Sequence, residues 1–463
     1  MVRVDVKPSD PIDEQPTIGL IGMGAMGTII SVCDRPEKFE SLKLTYQGNP
    51  ASLYLSYHHV VSHEVVLPDI PAITVHRDGH AVSRISDFIM YSVEADLIHK
   101  VVAQYGPSTK VGAIVSGQTS VKTPERDAFE KHLPSDVHIV SMHSLHGPTV
   151  SPVGQPLVLV PIRAPDECMK FLESVFSSFR SRYVYLTYEE HDLITANVQA
   201  VTHAAFLTMG TAWAAQRSYP WEQAHYVGGI ETVKVNIMLR IYANKWHVYA
   251  GLAILNPSAK IQIDTFASSA TDLYKLMIAG DAQRLRERIY AAREKVFGVR
   301  PDEDGCSTPI FLTEDVLDQF SIGKRSSPSP SGGNNSLINS HLSLLAMVDC
   351  WARLGIQPFD HLQLAATPVF RMWIGVAEYL FRSTERLNAA LDVAVHDVTL
   401  RSDDLEFVIA ARGWSQCVAF GNFELYRDRF ERTAAFFESR FEEANKLGSA
   451  MIKAIQDSNG VGK

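Results

Sequence analysis

Residues 18–27 read Ile18-Gly19-Leu20-Ile21-Gly22-Met23-Gly24-Ala25-Met26-Gly27, and they decide the fold class. Ile18–Ile21 is a short apolar strand, and the GxGxxG that follows is the dinucleotide-binding fingerprint. Its glycines allow a tight turn and let backbone N–H groups approach a pyrophosphate at a helix N-terminus. Glycines also cluster in ordinary turns, so the motif gains weight from standing first in a series of strands. Gly22, Gly24 and Gly27 are therefore the expected pyrophosphate contacts.

The next stretch departs from that rule. Asp34 and Arg35 are placed to read a ribose hydroxyl or a 2′-phosphate. Yet the gap from Gly27 to Asp34 is shorter than the dozen or so residues that a parallel crossover needs. Residues 28–76 are thus atypical. One account makes Met26–Tyr46 an irregular helix broken at Pro36, with a strand drawn from Leu53–Tyr57 or Val65–Leu67. Another account is an altered splice product, and the residues leave both open.

Regular alternation returns after Gly79. Strands are expected at Asp87–Val93, Val111–Val115, Val137–Met142, Leu157–Ile162 and Tyr183–Thr187. Helices are expected between them, at Ala95–Tyr105, Pro124–His132 and Glu167–Phe179. Alternating strands and helices argue for a doubly wound, mostly parallel sheet. From Glu189 onward the pattern is helical, opening with one long helix over Glu190–Gln216. The fold class is therefore an α/β Rossmann-like N-terminal domain followed by a large all-α C-terminal domain. The expected boundary is 1–187 against 188–463, with an exposed Ser/Pro/Gly/Asn-rich linker or loop at 323–335.

Composition narrows the function classes. The 463 residues are 46% hydrophobic and 21% charged, as in an ordinary globular chain. A net charge of −9 argues against a general nucleic-acid surface, which needs clustered Lys and Arg. The five cysteines are scattered without a CxxC pair, so no zinc site or disulfide framework is implied. No apolar run approaches a membrane span, and the N-terminus lacks the apolar core of a signal peptide. A cytoplasmic protein is expected.

The chemistry-bearing residues cluster at strand ends. His143 closes the strand within VHIVSMHSLHGP (137–148), and Ser120 follows Val111–Val115 in GQTSVK. If both strands lie in one parallel sheet, imidazole and hydroxyl share the edge where ligands bind. Ser120 equally suits a helix cap before Pro124. In the long helix, Gln199 lies one turn before His203, whose small neighbours suit either close packing or a ligand. His191 reads as a surface residue of the first turn. Arg240, set among Met238, Leu239, Ile241 and Tyr242, needs a carboxylate partner or a ligand anion.

Taken together, GLIGMGAMG, GQTSVK, HSLHGP, EEHDLITANVQAVTHAAF and LRIYANKWHVYAGLAILNPSA resemble fungal prephenate dehydrogenase, from about Thr17 to the last helix apart from residues 28–76. The resemblance implies oxidative decarboxylation of prephenate to 4-hydroxyphenylpyruvate with NADP+, in tyrosine biosynthesis. It implies that His143 and Ser120 contact the ring hydroxyl as catalytic residues. Arg240 would hold a substrate carboxylate and His203 would line the pocket. Gly22, Gly24 and Gly27 would bind the pyrophosphate, with Asp34 and Arg35 in the region reading the 2′-phosphate. It also implies a homodimer formed through the helical domain. Arogenate dehydrogenase, a non-catalytic NADP-binding regulator and an inactive splice product stand as alternatives.

Overall fold

The computed structural model describes residues 16–22, 43–47, 73–76, 78–147, 150–223, 229–299, 317–322, 339–362, 364 and 367–460. The chain divides into two compact units, Met1–Thr195 and Ala196–Lys463.

The first unit is built on an eight-stranded sheet. Its strands are β1 (Thr17–Ile21), β2 (Lys43–Gln47), β3 (Ile73–His76), β4 (Phe88–Tyr91), β5 (Ile114–Gly117), β6 (His138–His143), β7 (Pro156–Arg163) and β8 (Arg182–Tyr185). Their spatial order is β3-β2-β1-β4-β5-β6-β7-β8. The first six are mutually parallel in the Rossmann order, with the chain reversing direction across the sheet between β1 and β4. β7 runs antiparallel to β6, and β8 runs parallel to β7.

Helices α1 (Gly79–Ile85), α2 (Ile98–Tyr105), α3 (Thr123–His132), α4 (Asp166–Val175) and α5 (Tyr188–Thr195) connect or follow these strands. Side chains alternate between two cores, as the pleat requires. Phe88 and Met90 join a cluster with α4 residues such as Phe171 and Leu172. Ile89 and Tyr91 join one with Val82, Ile98, Val102 and Phe129 from α1, α2 and α3. Helices therefore cover both faces, and the central strands carry continuous apolar runs.

The atypical segment resolves differently from either helix or strand placement expected for it. Lys43–Gln47, much of it within the expected irregular helix, is β2, paired in register with β1 from Thr17↔Lys43 to Ile21↔Gln47. Residues 22–42 separate the two strands, which exceeds the dozen or so a parallel crossover needs. The short spacing to Asp34 is thus no obstacle, because Asp34 lies before the second strand and not at its end. Leu53–Tyr57, Val65–Leu67, Asp34 and Arg35 all lie outside the described residues, as does the 323–335 stretch.

The second unit is helical among its described residues. It contains α6 (Val201–Ala215), α7 (Gly229–Tyr242), α8 (Trp246–Leu255), α9 (Pro257–Ala279), α10 (Ala282–Phe297) and α11 (Leu342–Leu354). It continues with α12 (Pro368–Phe381), α13 (Thr384–His396), α14 (Arg401–Phe420), α15 (Phe423–Phe437) and α16 (Phe441–Gly460). Helix α8 is not legible as a helix in the sequence, because WHVYAGLAIL is apolar on nearly every side and shows no amphipathic period. The expected single helix over Glu190–Gln216 is α5, a π-helical turn at Ala196–Ala200, and α6. No described helix is long and apolar enough to cross a membrane.

Candidate active site

The carboxyl ends of β5 and β6 bring the expected strand-end residues to one edge. β5 and β6 pair in parallel, with Ile114 opposite His138. His143 is the last residue of β6 and is buried, whereas Ser120 is half-buried in the loop after β5. Gly22 ends β1 at the same edge, with φ of +96°. A Cβ there would overlap the Ser92 carbonyl, so only glycine fits the turn.

Pleat geometry puts Ser141 and His143 on the sheet face covered by α3 and α5. His143 Nδ1 lies 2.8 Å from His191 Nε2, and His191 Nδ1 lies 2.9 Å from Asp192 Oδ1. Asp192 also accepts the backbone N–H groups of Lys122 (2.6 Å) and Thr123 (2.8 Å) and the Thr123 hydroxyl (2.6 Å). These amides are unsatisfied donors at the start of α3, where a carboxylate is favoured. Burial alone would raise the Asp192 pKa. The hydrogen bonds from His191, Thr123 and Lys122 outweigh it and hold the group below its ordinary value.

Proton placement follows from this chain. Ionised Asp192 accepts a hydrogen bond from His191 Nδ1–H, which leaves His191 Nε2 as an acceptor. That nitrogen takes the Nδ1–H of His143, so His143 Nε2 carries a lone pair. Burial, then His191, Lys122 and His146, push the His143 pKa well below 6.5. Burial likewise lowers His191, against the pull of Asp192. The strand therefore ends in a neutral, oriented acceptor, suited to take or share a hydroxyl proton.

His191, expected on the surface, is 1% exposed. Its spacing to buried Ile194 and Thr195 marks the inward face of α5, a signal the sequence contains. Asp192 carries no comparable signal, because its partners come from a loop some 70 residues earlier. His146 is half-buried, with Nδ1 3.1 Å from the Gly147 carbonyl.

In the helical unit, three other expected residues stand on adjacent elements. His203 on α6 meets the Tyr249 ring of α8 edge-on, with centroids 4.9 Å apart. Burial pushes the His203 pKa down to about 4. The Tyr249 hydroxyl accepts from Asn244 Nδ2 (3.2 Å), which also donates to the Arg240 carbonyl (2.9 Å). Arg240 Nη1 approaches the Ser449 hydroxyl at 3.4 Å, and its charge acts on Tyr249. Gln199 is buried in the π turn. His203 and Arg240 are thus joined through Tyr249 and Asn244. Among the described residues no group of His, Cys, Asp and Glu is arranged to hold a metal ion.

Residues 200–457 match the family model of the 6-phosphogluconate dehydrogenase C-terminal domain, in its form named for tyrosine biosynthesis. Over 452 residues the chain is 48% identical to a Schizosaccharomyces pombe protein named probable prephenate dehydrogenase, NADP(+), covering 95% of this chain and 98% of that one. It is also 48% identical over 453 residues to the NADP(+) prephenate dehydrogenase of Saccharomyces cerevisiae, covering 95% and 93%. The chain belongs to the prephenate dehydrogenase family. This prephenate dehydrogenase family member is also similar to the crystal structure of the Aquifex aeolicus enzyme with hydroxyphenyl propionate and NAD+. That match has a TM-score of 0.46 and 18% identity, and covers 59% of this chain and 94% of the other.

Proposed function

We propose that the chain is an NADP+-dependent prephenate dehydrogenase that forms 4-hydroxyphenylpyruvate in tyrosine biosynthesis, with His143 and Ser120 as its catalytic residues. The observation that carries the reading is the buried His143–His191–Asp192 chain at the carboxyl end of β6, in a protein 48% identical to named prephenate dehydrogenases.

Hydride passes from C4 of prephenate to bound NADP+ while the ring carboxylate leaves as carbon dioxide and the ring becomes aromatic. The C4 hydroxyl survives as the product's phenol, so no net proton leaves the substrate. The base therefore need only share the hydroxyl proton while charge develops on C4. His143 Nε2 does this, and the histidine chain behind it fixes its tautomer without itself ionising. Ser120 hydrogen-bonds the same oxygen and orients it. Arg240 binds a substrate carboxylate, where a charged hydrogen bond contributes about 1.5–3 kcal/mol, while His203 and Gln199 line the pocket.

The turn at Gly22 fits a dinucleotide, because its positive φ brings bare backbone to the end of β1. Gly24 and Gly27 complete the pyrophosphate loop, and Asp34 and Arg35 in the β1–β2 crossover contribute to reading the 2′-phosphate. The protein is cytoplasmic and forms a homodimer through its helical unit. Leu405, Ile409 and Phe420, the last 74% exposed, lie within about 60° of one another around α14. Sedimentation at the monomer mass would refute the dimer.

The deciding experiment mixes the purified protein with prephenate and NADP+ and follows the absorbance of reduced cofactor, with arogenate as the comparison substrate. Prephenate-dependent reduction is expected. No reduction with either substrate would overturn the reading.

A further inference from the structure

Behind the histidine chain lies a second buried network. Lys122 and Glu125 are fully buried, with Nζ 2.8 Å from Oε2. Lys122 Nζ also donates to the Met142 carbonyl (2.7 Å) and the Gly117 carbonyl (3.4 Å), so the ammonium has an acceptor for each N–H. Glu125 Oε1 accepts the Thr119 amide at 2.6 Å, and Oε2 also accepts the Ser141 hydroxyl. The carboxylate packs so closely on Gly117 that a Cβ there would overlap it. A buried pair this completely satisfied avoids the penalty of an isolated charge, though such pairs add little net stability over apolar replacements.

What distinguishes the pair is where its bonds end. The Lys122 side chain grips Met142, the residue before His143. The backbone N–H of the same residue grips Asp192, the far end of the histidine chain. Glu125 meanwhile fixes Thr119, the residue before Ser120. From these bonds we infer that Lys122, neutralised by Glu125, is a positioning residue that ties both ends of the His143–His191–Asp192 chain to the loop carrying Ser120. The charge has a second effect, because Lys122, with His191 and His146, disfavours protonation of His143. Glu125 and Asp192 pull His191 the other way.

The inference deepens the proposed reaction and rests on it for its kinetic consequence, but not for its structural one. The test compares the parent chain with the double variant Lys122→Met, Glu125→Met, chosen because apolar replacement of both partners leaves no buried charge. Folding is checked by circular dichroism and thermal melting. Nitrogen-detected NMR of the imidazoles, with the His143 signals assigned from His143→Ala, reports tautomer and titration. In the double variant the His143 midpoint should rise and its single tautomer should be lost. With prephenate and NADP+, kcat should fall on the order of 10–100-fold, the effect of a misplacement near 1 Å, while KM changes less. The acid limb of the rate profile should move to higher pH. Glu125→Gln, which keeps Lys122, is the second variant and should not raise the His143 midpoint. An unchanged His143 tautomer and midpoint with parental kcat in the folded double variant would overturn the inference. A parent chain that leaves prephenate untouched, while its His143 still responds to Lys122, would refute the reaction and leave the positioning role standing.

Discussion

His143 and His191, 48 residues apart in sequence, share one hydrogen bond of 2.8 Å between Nδ1 and Nε2 inside the first unit. That contact turns a strand-end histidine into one with a fixed tautomer and an outward lone pair. Replacing His143 with Ala removes the acceptor. We expect kcat to fall by about 10²–10⁴ with NADP+ still bound, read by steady-state kinetics and calorimetry. Turnover equal to the parent would remove His143 from the mechanism.

Asp192→Asn tests the remote end of the chain. An amide can present either face to His191, so it no longer enforces Nδ1–H on that ring. We expect kcat to fall on the order of 10²-fold, with little change in KM for prephenate. The carboxylate also holds the first amides of α3, so stability should drop by about 1–3 kcal/mol in a denaturant titration. A variant with parental kcat would show that the tautomer is set by other means.

Arg240→Ala should act mainly on substrate binding. A charged contact to a carboxylate made equally in ground and transition states raises KM when lost and spares kcat. Its removal should raise KM for prephenate by about 10–100-fold. An unchanged KM would sink the assignment.

Three buried histidines set a direction for pH dependence. His143, His191 and His203 all have folded pKa values below 6.5, each chiefly because of burial. The unfolded chain takes up these protons near 6.5 while the folded chain does not. Their stabilisation is therefore complete above 6.5 and is lost as pH falls toward the folded values. For His203 that window runs from 6.5 to about 4. Denaturation midpoints should decline across it, and His203→Gln should flatten part of the decline. A midpoint independent of pH there would contradict the buried, neutral state.

The sequence reaches far into the first unit, for reasons visible in particular residues. Phe88–Tyr91 and Ile114–Gly117 are short apolar runs between helical patterns, and runs of that kind form central parallel strands. Val137–Met142 marks its position equally well, which puts His143 at a strand end. The second strand is misplaced when the acidic residue expected at its end is sought at Asp34, because the pairing partner of β1 is Lys43–Gln47. The partners of His143 are out of reach for another reason. A buried histidine, aspartate and lysine each look costly until their hydrogen bonds are known.

By itself the sequence determined the glycine turn after β1, the alternation that builds a doubly wound sheet, the all-helical second half, and the residues that stand at strand ends. These are local properties, written in periods of two and 3.6 residues and in the special backbone of glycine. Only the tertiary structure decided that β7 reverses direction beside β6 and that α5 turns His191 inward. It alone brought Lys122 to both ends of the histidine chain. Those contacts join segments tens of residues apart, and burial makes their polar groups choose one another in place of water.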